Sequence, residues 1–238
     1  MTNDIVISDL SICEPADRLR RDFRHGTWRL VGYETESFGG TMVYSGPGMD
    51  SAPLKLPINI SGYHKIYVGV QYPEFCDVHV RLRLTDDPAY TLVRAEQQSE
   101  KDRQGLPDAY GVYFTGKAFR EWDVTEAFWK IADLAGQDLT ISRFNEGSPG
   151  QGGNVAELYS NLVFIRLVPL TDDEIADYHR ELPRDDTRRL LAMNDGGVFI
   201  NLRTKEDIWA QIEPYRESDV DVMLWAPFKG ENSTYRTK

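Results

Sequence analysis

DVHVRLRL, residues 77–84, alternates polar or charged side chains with apolar ones along its whole length. Its even-numbered positions hold valine or leucine, whereas its odd-numbered positions hold aspartate, histidine and arginine. Because successive side chains of a β-strand point to opposite faces, this period of two predicts a strand with one buried and one wet face. Such half-buried strands are typical of antiparallel sheets.

The same kind of pattern recurs through the first two thirds of the chain. Further predicted strands are 27–34, 54–60, 64–71, 90–95, 110–115, 138–144 and 161–170. Segments rich in glycine, proline and small polar residues separate them, and SFGGTM (37–42) is one such predicted turn region. Many short strands with little helix between them are typical of a β-sandwich or barrel. We therefore predict a mainly β domain over residues 1–170.

The pattern changes after Leu170. TDDEIADYHREL (171–182) has the spacing of a capping box followed by apolar residues at helical intervals, which predicts a helix. Two apolar runs, 196–202 and 220–226, then flank an amphipathic helical segment, 204–218. Strand, helix and strand within about thirty residues predict a βαβ unit with parallel strands. We assign residues 171–195 to a helical linker and 196–238 to a partial βαβ unit.

Composition excludes several classes of function. The chain has 38 aspartates and glutamates against 27 lysines and arginines, a formal charge of −11, which argues against a nucleic-acid partner. Its cysteines, Cys13 and Cys76, are too few for a disulfide framework. The N-terminus has neither the basic nor the apolar region of a signal peptide, and no apolar run is long enough to span a membrane. We expect no membrane partner and, by default, a cytoplasmic location.

Several segments of the chain resemble a known family. They are RDFRHGTWRLVGY (21–33), LKLPINISGYHKIYVGV (54–70), VRLRLTDDPAYTLV (80–93) and EWDVTEAFWKIADLAGQDLTI (121–141). These segments resemble the N-terminal galactose-binding-like jelly-roll module that precedes the catalytic barrel of bacterial glycoside-hydrolase-like proteins. The tail GGVFINLRTKEDIWAQIEPYRESDVDVMLWAP (196–227) resembles the first strand, helix and second strand of the (β/α)8 barrel in those proteins.

The resemblance implies a jelly-roll β-sandwich followed by the start of a TIM barrel, in a protein whose partner is a carbohydrate. We therefore expect a non-catalytic accessory, carbohydrate-binding-type module of a glycoside-hydrolase-like protein. Two alternatives stay open. One is a truncated glycoside hydrolase whose catalytic barrel lies beyond residue 238. The other is a β-sandwich domain that docks onto a partner protein or onto a barrel.

Barrel chemistry takes place in the loops that follow several different strands. The tail residues at those positions are Asn201, Arg203, Trp225 and Lys229. Two strands of the eight are too few to hold the pair of carboxylates that glycoside hydrolysis usually needs. We therefore predict no catalytic residue in this chain and leave the enzymatic activity of the parent protein open. An uncovered apolar surface beside an incomplete barrel would favour self-association.

Aromatic rings and nearby polar groups are the usual means of binding sugars, because a flat ring matches the C–H face of a pyranose. The candidate ligand-binding residues are Tyr33, Tyr110, Tyr113 and Trp122 beside strand ends or loops, and the outward row His79, Arg81 and Arg83. By contrast, we expect Phe128, Trp129 and Ile131 to fill the core of the sandwich.

The resemblance also implies a candidate site for a structural calcium, because jelly-roll modules of this type often hold one. The carboxylate-rich turn at Asp86 and Asp87 could offer hard oxygen ligands, although no EF-hand pattern is present. The four histidines lack paired metal-ligand spacing. Beyond that calcium, we predict no cofactor.

Overall fold

The computed structural model describes residues 3–34, 39–46, 49–71, 79–94, 124–143, 159–182, 190–194, 204–216, 218, 220–225, 228–229 and 232–233. The chain divides into two compact units. The first comprises residues 1–87, 92–145 and 153–171, and the second comprises 88–91, 146–152 and 172–238. The first unit is mainly β, as the sequence predicts.

Twelve described strands lie in the first unit, except that Thr91, the first residue of one of them, falls in the second. They are β1 (Ile5–Ile7), β2 (Leu19–Arg20), β3 (Trp28–Glu34), β4 (Gly39–Ser45), β5 (Leu54–Pro57), β6 (Tyr63–Gln71), β7 (His79–Leu84), β8 (Thr91–Arg94), β9 (Val124–Asp133), β10 (Asp138–Arg143), β11 (Ser160–Leu162) and β12 (Phe164–Pro169). They form three four-stranded sheets with the orders β1-β12-β6-β9, β5-β10-β7-β8 and β11-β4-β3-β2. Short 3-10 turns at Leu10–Ile12 and Ala16–Arg18 connect β1 to β2.

One hydrophobic core receives side chains from all three sheets. Its members include Ile66, Val68 and Ile165 from the first sheet, Leu56, Leu82 and Ile141 from the second, and Trp28, Val43 and Leu162 from the third. Along β7 the apolar positions are at most 2% exposed, whereas Arg81 and Arg83 are half-buried. Over residues 80–84, the period of two thus marks a half-buried strand, as predicted.

One strand prediction and one turn prediction need correction. The single strand predicted over 161–170 is two strands in different sheets, separated at Val163, whose N–H donates to the Gly69 carbonyl. Residues 39–42, predicted as a turn, belong to β4. The glycine at position 40 allows the backbone of Ser8 to lie against this strand, because a Cβ on Gly40 would overlap the carbonyl of Ser8. The predicted strand 110–115 lies outside the described residues.

The second unit contains two helices and a parallel pair of strands. Its elements are α1 (Asp172–Glu181), β13 (Leu190–Asn194), α2 (Lys205–Ile212), a 3-10 turn (Glu213–Tyr215), β14 (Val220–Trp225), β15 (Phe228–Lys229) and β16 (Asn232–Ser233). β13 pairs in parallel with β14, which gives the predicted strand–helix–strand order. However, β13 lies inside the segment 171–195 assigned to a helical linker, so that assignment is wrong in part.

The position of β13 has a simple reason in the sequence. Leu190 to Met193 is an apolar run short enough to form a strand, and it precedes the glycine-led run 196–202, which lies outside the described residues. Helix α2 is shorter than the predicted segment 204–218, because Pro214 lacks the N–H that would continue the helix. None of the described helices is long and apolar enough to cross a membrane.

Candidate ligand-binding face

An exposed aromatic row crosses the outer side of the β1-β12-β6-β9 sheet. Val6, Arg166, Tyr67 and Phe128 are cross-strand partners in that order, one from each strand. Their chain neighbours Ile66, Val68, Ile165 and Leu167 point to the opposite side, into the core. Together with two flanking acids, the row forms what we call the aromatic face: Asp4, Val6, Tyr67, Glu126, Phe128 and Arg166.

A β-bulge places Phe128 on this face. The register between β6 and β9 shifts after Ile66, so that Lys130 opposes Ile66 while Phe128 opposes Tyr67, and Trp129 is the extra residue between them. Trp129 is partly buried and packs against the core. Phe128, the residue before it, points to the other side of the sheet and is 56% exposed. The prediction that Phe128 fills the core is therefore wrong, whereas Trp129 does pack there.

The rings of the aromatic face contact each other and a cation. The centroids of Tyr67 and Phe128 are 5.6 Å apart with an interplanar angle of 65°, an edge-to-face arrangement. The guanidinium carbon of Arg166 lies 4.3 Å from the centroid of the Tyr67 ring, which is cation–π geometry. Tyr67 is thus held from both sides, and Phe128 presents its free surface outward.

Two carboxylates hold Arg166 in place. Its Nε donates to Glu126 Oε2 at 2.8 Å, and its Nη2 donates to the other oxygen of Glu126. Its Nη1 donates to Asp4 Oδ2 at 2.9 Å. The hydrogen bonds that Arg166 donates to Glu126, and to a lesser extent the one it donates to Asp4, hold the pKa of Arg166 above its usual range. The aromatic face therefore has two acidic groups and a permanently charged arginine, all of them partly exposed.

A second candidate is a cleft of about 410 Å³ between the β5–β6 connection and the β9–β10 turn. Its lining residues are Asn59, Ile60, Ser61, Gly136, Gln137 and Asp138. Asp138 already pairs with Lys55 Nζ at 2.5 Å, and Gln137 Nε2 donates to Asp86 Oδ2 at 2.7 Å. Since these polar groups bond to the protein itself and no aromatic ring lines the cleft, it fits a sugar less well than the aromatic face does.

Tyr33 does not form the exposed platform that the sequence predicts. It is 6% exposed, and its hydroxyl donates to the Val163 carbonyl at 3.2 Å. Burial raises the pKa of Tyr33 to about 12, so the phenol stays neutral. The reason is its place in β3, where it joins a second hydrophobic cluster with Met42 and Phe164.

The other predicted ligand-binding residues do not meet at one site in the described structure. Arg81 and Arg83 lie on β7, opposite Ser142 and Thr140 of β10, in a different sheet from the aromatic face. His79 begins β7, and its side chain is outside the described residues, as are Tyr110, Tyr113 and Trp122 altogether. Of the barrel-rim residues, Asn201 and Arg203 are not described, while Trp225 ends β14 and Lys229 ends β15.

The carboxylates of Asp86 and Asp87 bond to protein donors. Asp87 accepts Lys130 Nζ at 2.6 Å through Oδ1 and the Leu84 N–H at 2.9 Å through Oδ2. The backbone N–H of Asp86 donates to Gln137 Oε1, and Gln137 Nε2 donates back to the carboxylate of Asp86. These bonds tie the β7–β8 turn to β9 and to the β9–β10 turn. The candidate calcium ligands therefore have a structural role, and within the described residues no three His, Cys, Asp or Glu side chains are grouped to hold a metal.

Cys13 is a buried free thiol whose pKa is raised to about 12 by burial and by Asp9. Burial therefore keeps this thiol protonated near neutral pH, which is typical of a structural cysteine.

No protein-family model matches the chain, and no curated protein matches it. The described part of the chain is thus defined by its own features: a mainly β unit with an exposed aromatic face, followed by a unit with a parallel strand pair.

Proposed function

We propose that the chain is a non-catalytic accessory module of the carbohydrate-binding type, with a galactose-binding-like jelly-roll sandwich as its first unit, in a glycoside-hydrolase-like protein. The observation that carries the proposal is the aromatic face, where Phe128 is exposed on an open sheet beside Tyr67 and Arg166. The face lies on paired strands of a sheet, which position a ring more rigidly than a loop would.

The chemistry of the aromatic face suits a sugar ring. A pyranose stacks its apolar C–H face on an aromatic ring while its hydroxyls need hydrogen-bond partners at the rim. Phe128 supplies the apolar surface, and the carboxylate oxygens of Glu126, which is 32% exposed, can accept bonds from hydroxyls. Because Arg166 already fixes both carboxylates, little side-chain entropy is lost when a ligand binds.

The first test concerns the Phe128 ring. Replacing Phe128 with alanine is expected to weaken binding of a neutral oligosaccharide about tenfold, which corresponds to about 1.4 kcal/mol. The free energy of unfolding should change by only about 0.5 kcal/mol, because the ring is largely exposed. A glycan array followed by titration calorimetry of the strongest binders measures the affinity.

Phe23 provides a matched control. It is 51% exposed and also has an arginine, Arg29, over its ring at 4.4 Å, but it lies outside the aromatic face. The Phe23→Ala variant should bind as the wild type does. Equal affinity of the Phe128→Ala and wild-type proteins, or no binding to any glycan on the array, would contradict the proposal.

A second candidate function rests on the second unit. Parallel strands are normally covered on both faces, yet Leu191 is 57% exposed and its cross-strand partner Val222 is 43% exposed. On α2, Trp209 is 49% exposed. These uncovered apolar residues support two alternatives: a βαβ unit that belongs to the catalytic barrel of a glycoside hydrolase, or a surface that docks onto a partner.

Self-association tests the second unit. The chain is expected to form dimers or larger species at micromolar concentrations, and the Leu191→Lys/Val222→Lys variant is expected to remain monomeric, because two charges would face each other at the contact. Sedimentation velocity measures this, with Val6→Lys, at a 49% exposed position of the first unit, as the control. A wild-type chain that stays monomeric throughout would count against a docking surface. Sequencing the gene past the codon for Lys238 separates the alternatives, since further βα repeats would support the truncated hydrolase and a stop codon there would contradict it.

A further inference from the structure

We infer that the aromatic face selects uncharged glycans and rejects those that carry carboxylate or sulfate groups. This selectivity rests on the proposed function, because it concerns the same face and the same class of ligand. It narrows the ligand to neutral polysaccharides and their oligomers.

The first step of the argument is the state of Arg166. An anionic sugar is usually recognised by a guanidinium that can offer it two parallel N–H bonds. Here Nε and Nη2 of Arg166 already form that pair of bonds with Glu126, and Nη1 bonds to Asp4. A sugar carboxylate would have to displace a protein carboxylate before it could bind the guanidinium.

The second step is the charge that the ligand would meet. Arg166 and its two acidic partners together have one net negative charge. The lysine on the same side of β6 as Tyr67 is Lys65, two residues away. Lys65 is half-buried and also has an interaction partner. Including Lys65 only brings the net charge to zero, so the face has no excess of positive charge for an anion. The chain as a whole, at −11, adds repulsion at long range.

The third step concerns what the carboxylates can do. An ionised carboxylate only accepts hydrogen bonds, so it suits a hydroxyl donor and repels another carboxylate or a sulfate. Glu126 bonds to Arg166 through oxygens that keep further lone pairs, and it is 32% exposed beside Phe128. Asp4 contributes its charge only, because its oxygen that is not bonded to Arg166 is buried. Sugar hydroxyls over the Phe128 ring would thus meet acceptors, which is the requirement of a neutral glycan.

The test uses polymers that differ in charge but share a backbone. Affinity gel electrophoresis is run with hydroxyethyl cellulose against carboxymethyl cellulose, and with methyl-esterified pectin against de-esterified pectin. The wild-type chain is expected to bind the neutral member of at least one pair at least about fivefold more tightly at low salt, with a smaller ratio in about 0.5 M salt because the repulsion is screened.

A charge variant identifies the source of the selectivity. Glu126→Gln removes one negative charge and one partner of Arg166, so binding to the anionic member of the pair is expected to rise about fivefold. Asp177→Asn on α1, where Asp177 is 58% exposed and pairs with Arg180, changes the total charge equally and should leave the ratio unaltered. Equal effects of the two variants would overturn the role of Glu126.

The remaining outcomes separate the two proposals. If the chain binds the anionic member as tightly as the neutral one or more tightly, the selectivity is wrong while carbohydrate binding stands. If neither member of either pair binds and the glycan array is also silent, the proposed function itself is overturned, and the selectivity with it.

Discussion

Replacing Trp28 with alanine is expected to lower the free energy of unfolding by about 3–5 kcal/mol. Trp28 is fully buried, at 0% exposure, in the core that the three sheets share. Its removal leaves a large cavity, because the surrounding strands are fixed by their ladders and can close over it only in part. It also removes the indole N–H that donates to the Ala52 carbonyl at 2.8 Å.

Two further variants separate the parts of this effect. Trp28→Phe retains most of the apolar volume but leaves the Ala52 carbonyl without its donor, so a loss of about 1–3 kcal/mol is expected. Trp209→Ala removes a tryptophan that is 49% exposed on α2, and should change the stability by about 0.5 kcal/mol. Urea unfolding followed by the circular dichroism of the sheets measures all three. Similar losses for Trp28→Ala and Trp209→Ala would show that Trp28 is not a central core residue.

The sequence alone could predict those strands in which apolar and polar residues alternate with little interruption. β6, β7 and β10 each alternate over most of their length, and each is found close to its predicted bounds. β3 is also found close to its predicted bounds, although its buried side changes between Trp28 and Val31. The break at Val163 was not predictable in this way, because the run Asn161 to Leu170 is apolar on both sides of the break. What separates β11 from β12 is a long-range bond from Val163 to Gly69, which no local pattern encodes.

The candidate site shows the same limit. Tyr67 occupies the outward position of a well-patterned strand, so its place on the wet face of β6 follows from the period of two. Phe128 lies in the dense apolar run Ala127–Trp129, and only the bulge opposite Ile66 and Tyr67 determines which of these side chains points outward. No clear signal was available in the sequence here: β9 is not among the predicted strands, and the charged residues Glu126 and Lys130 on either side of the run do not determine which side chain between them points outward.

The ion pair between Arg166 and Asp4 could not be predicted from the sequence, because 162 residues separate them. They meet only because β1 pairs with β12. Tyr33 illustrates the opposite error. Its position near a strand end favoured exposure, but the packing of Met42 and Phe164 around it removes it from solvent. Both cases depend on which sheets lie against each other, which is a property of the whole fold.

The Gly40→Ala substitution is expected to lower the free energy of unfolding by about 3 kcal/mol, the upper end of the usual cost of overpacking. A Cβ on Gly40 would overlap the Ser8 carbonyl oxygen and lie 2.7 Å from its carbonyl carbon. Both atoms belong to the backbone, so no side-chain rotation can relieve the clash. The segment after β1 would have to move away, breaking the bond from the Thr41 N–H to the Ser8 carbonyl at 2.9 Å.

Gly32→Ala is the matched control for this effect. Gly32 lies on β3, paired with Thr41, and a Cβ there would meet no atom within 4 Å. Its replacement should be neutral or stabilise the chain by up to about 1 kcal/mol, because alanine loses less conformational freedom on folding. Urea denaturation compares the two variants, and equal stability would contradict the close approach of Ser8 to β4.

Since Ser8 directly follows β1, which carries Val6 and adjoins Asp4, Gly40→Ala should also loosen the contact of Asp4 with Arg166. It should therefore weaken glycan binding at the aromatic face, whereas Gly32→Ala should leave that binding intact.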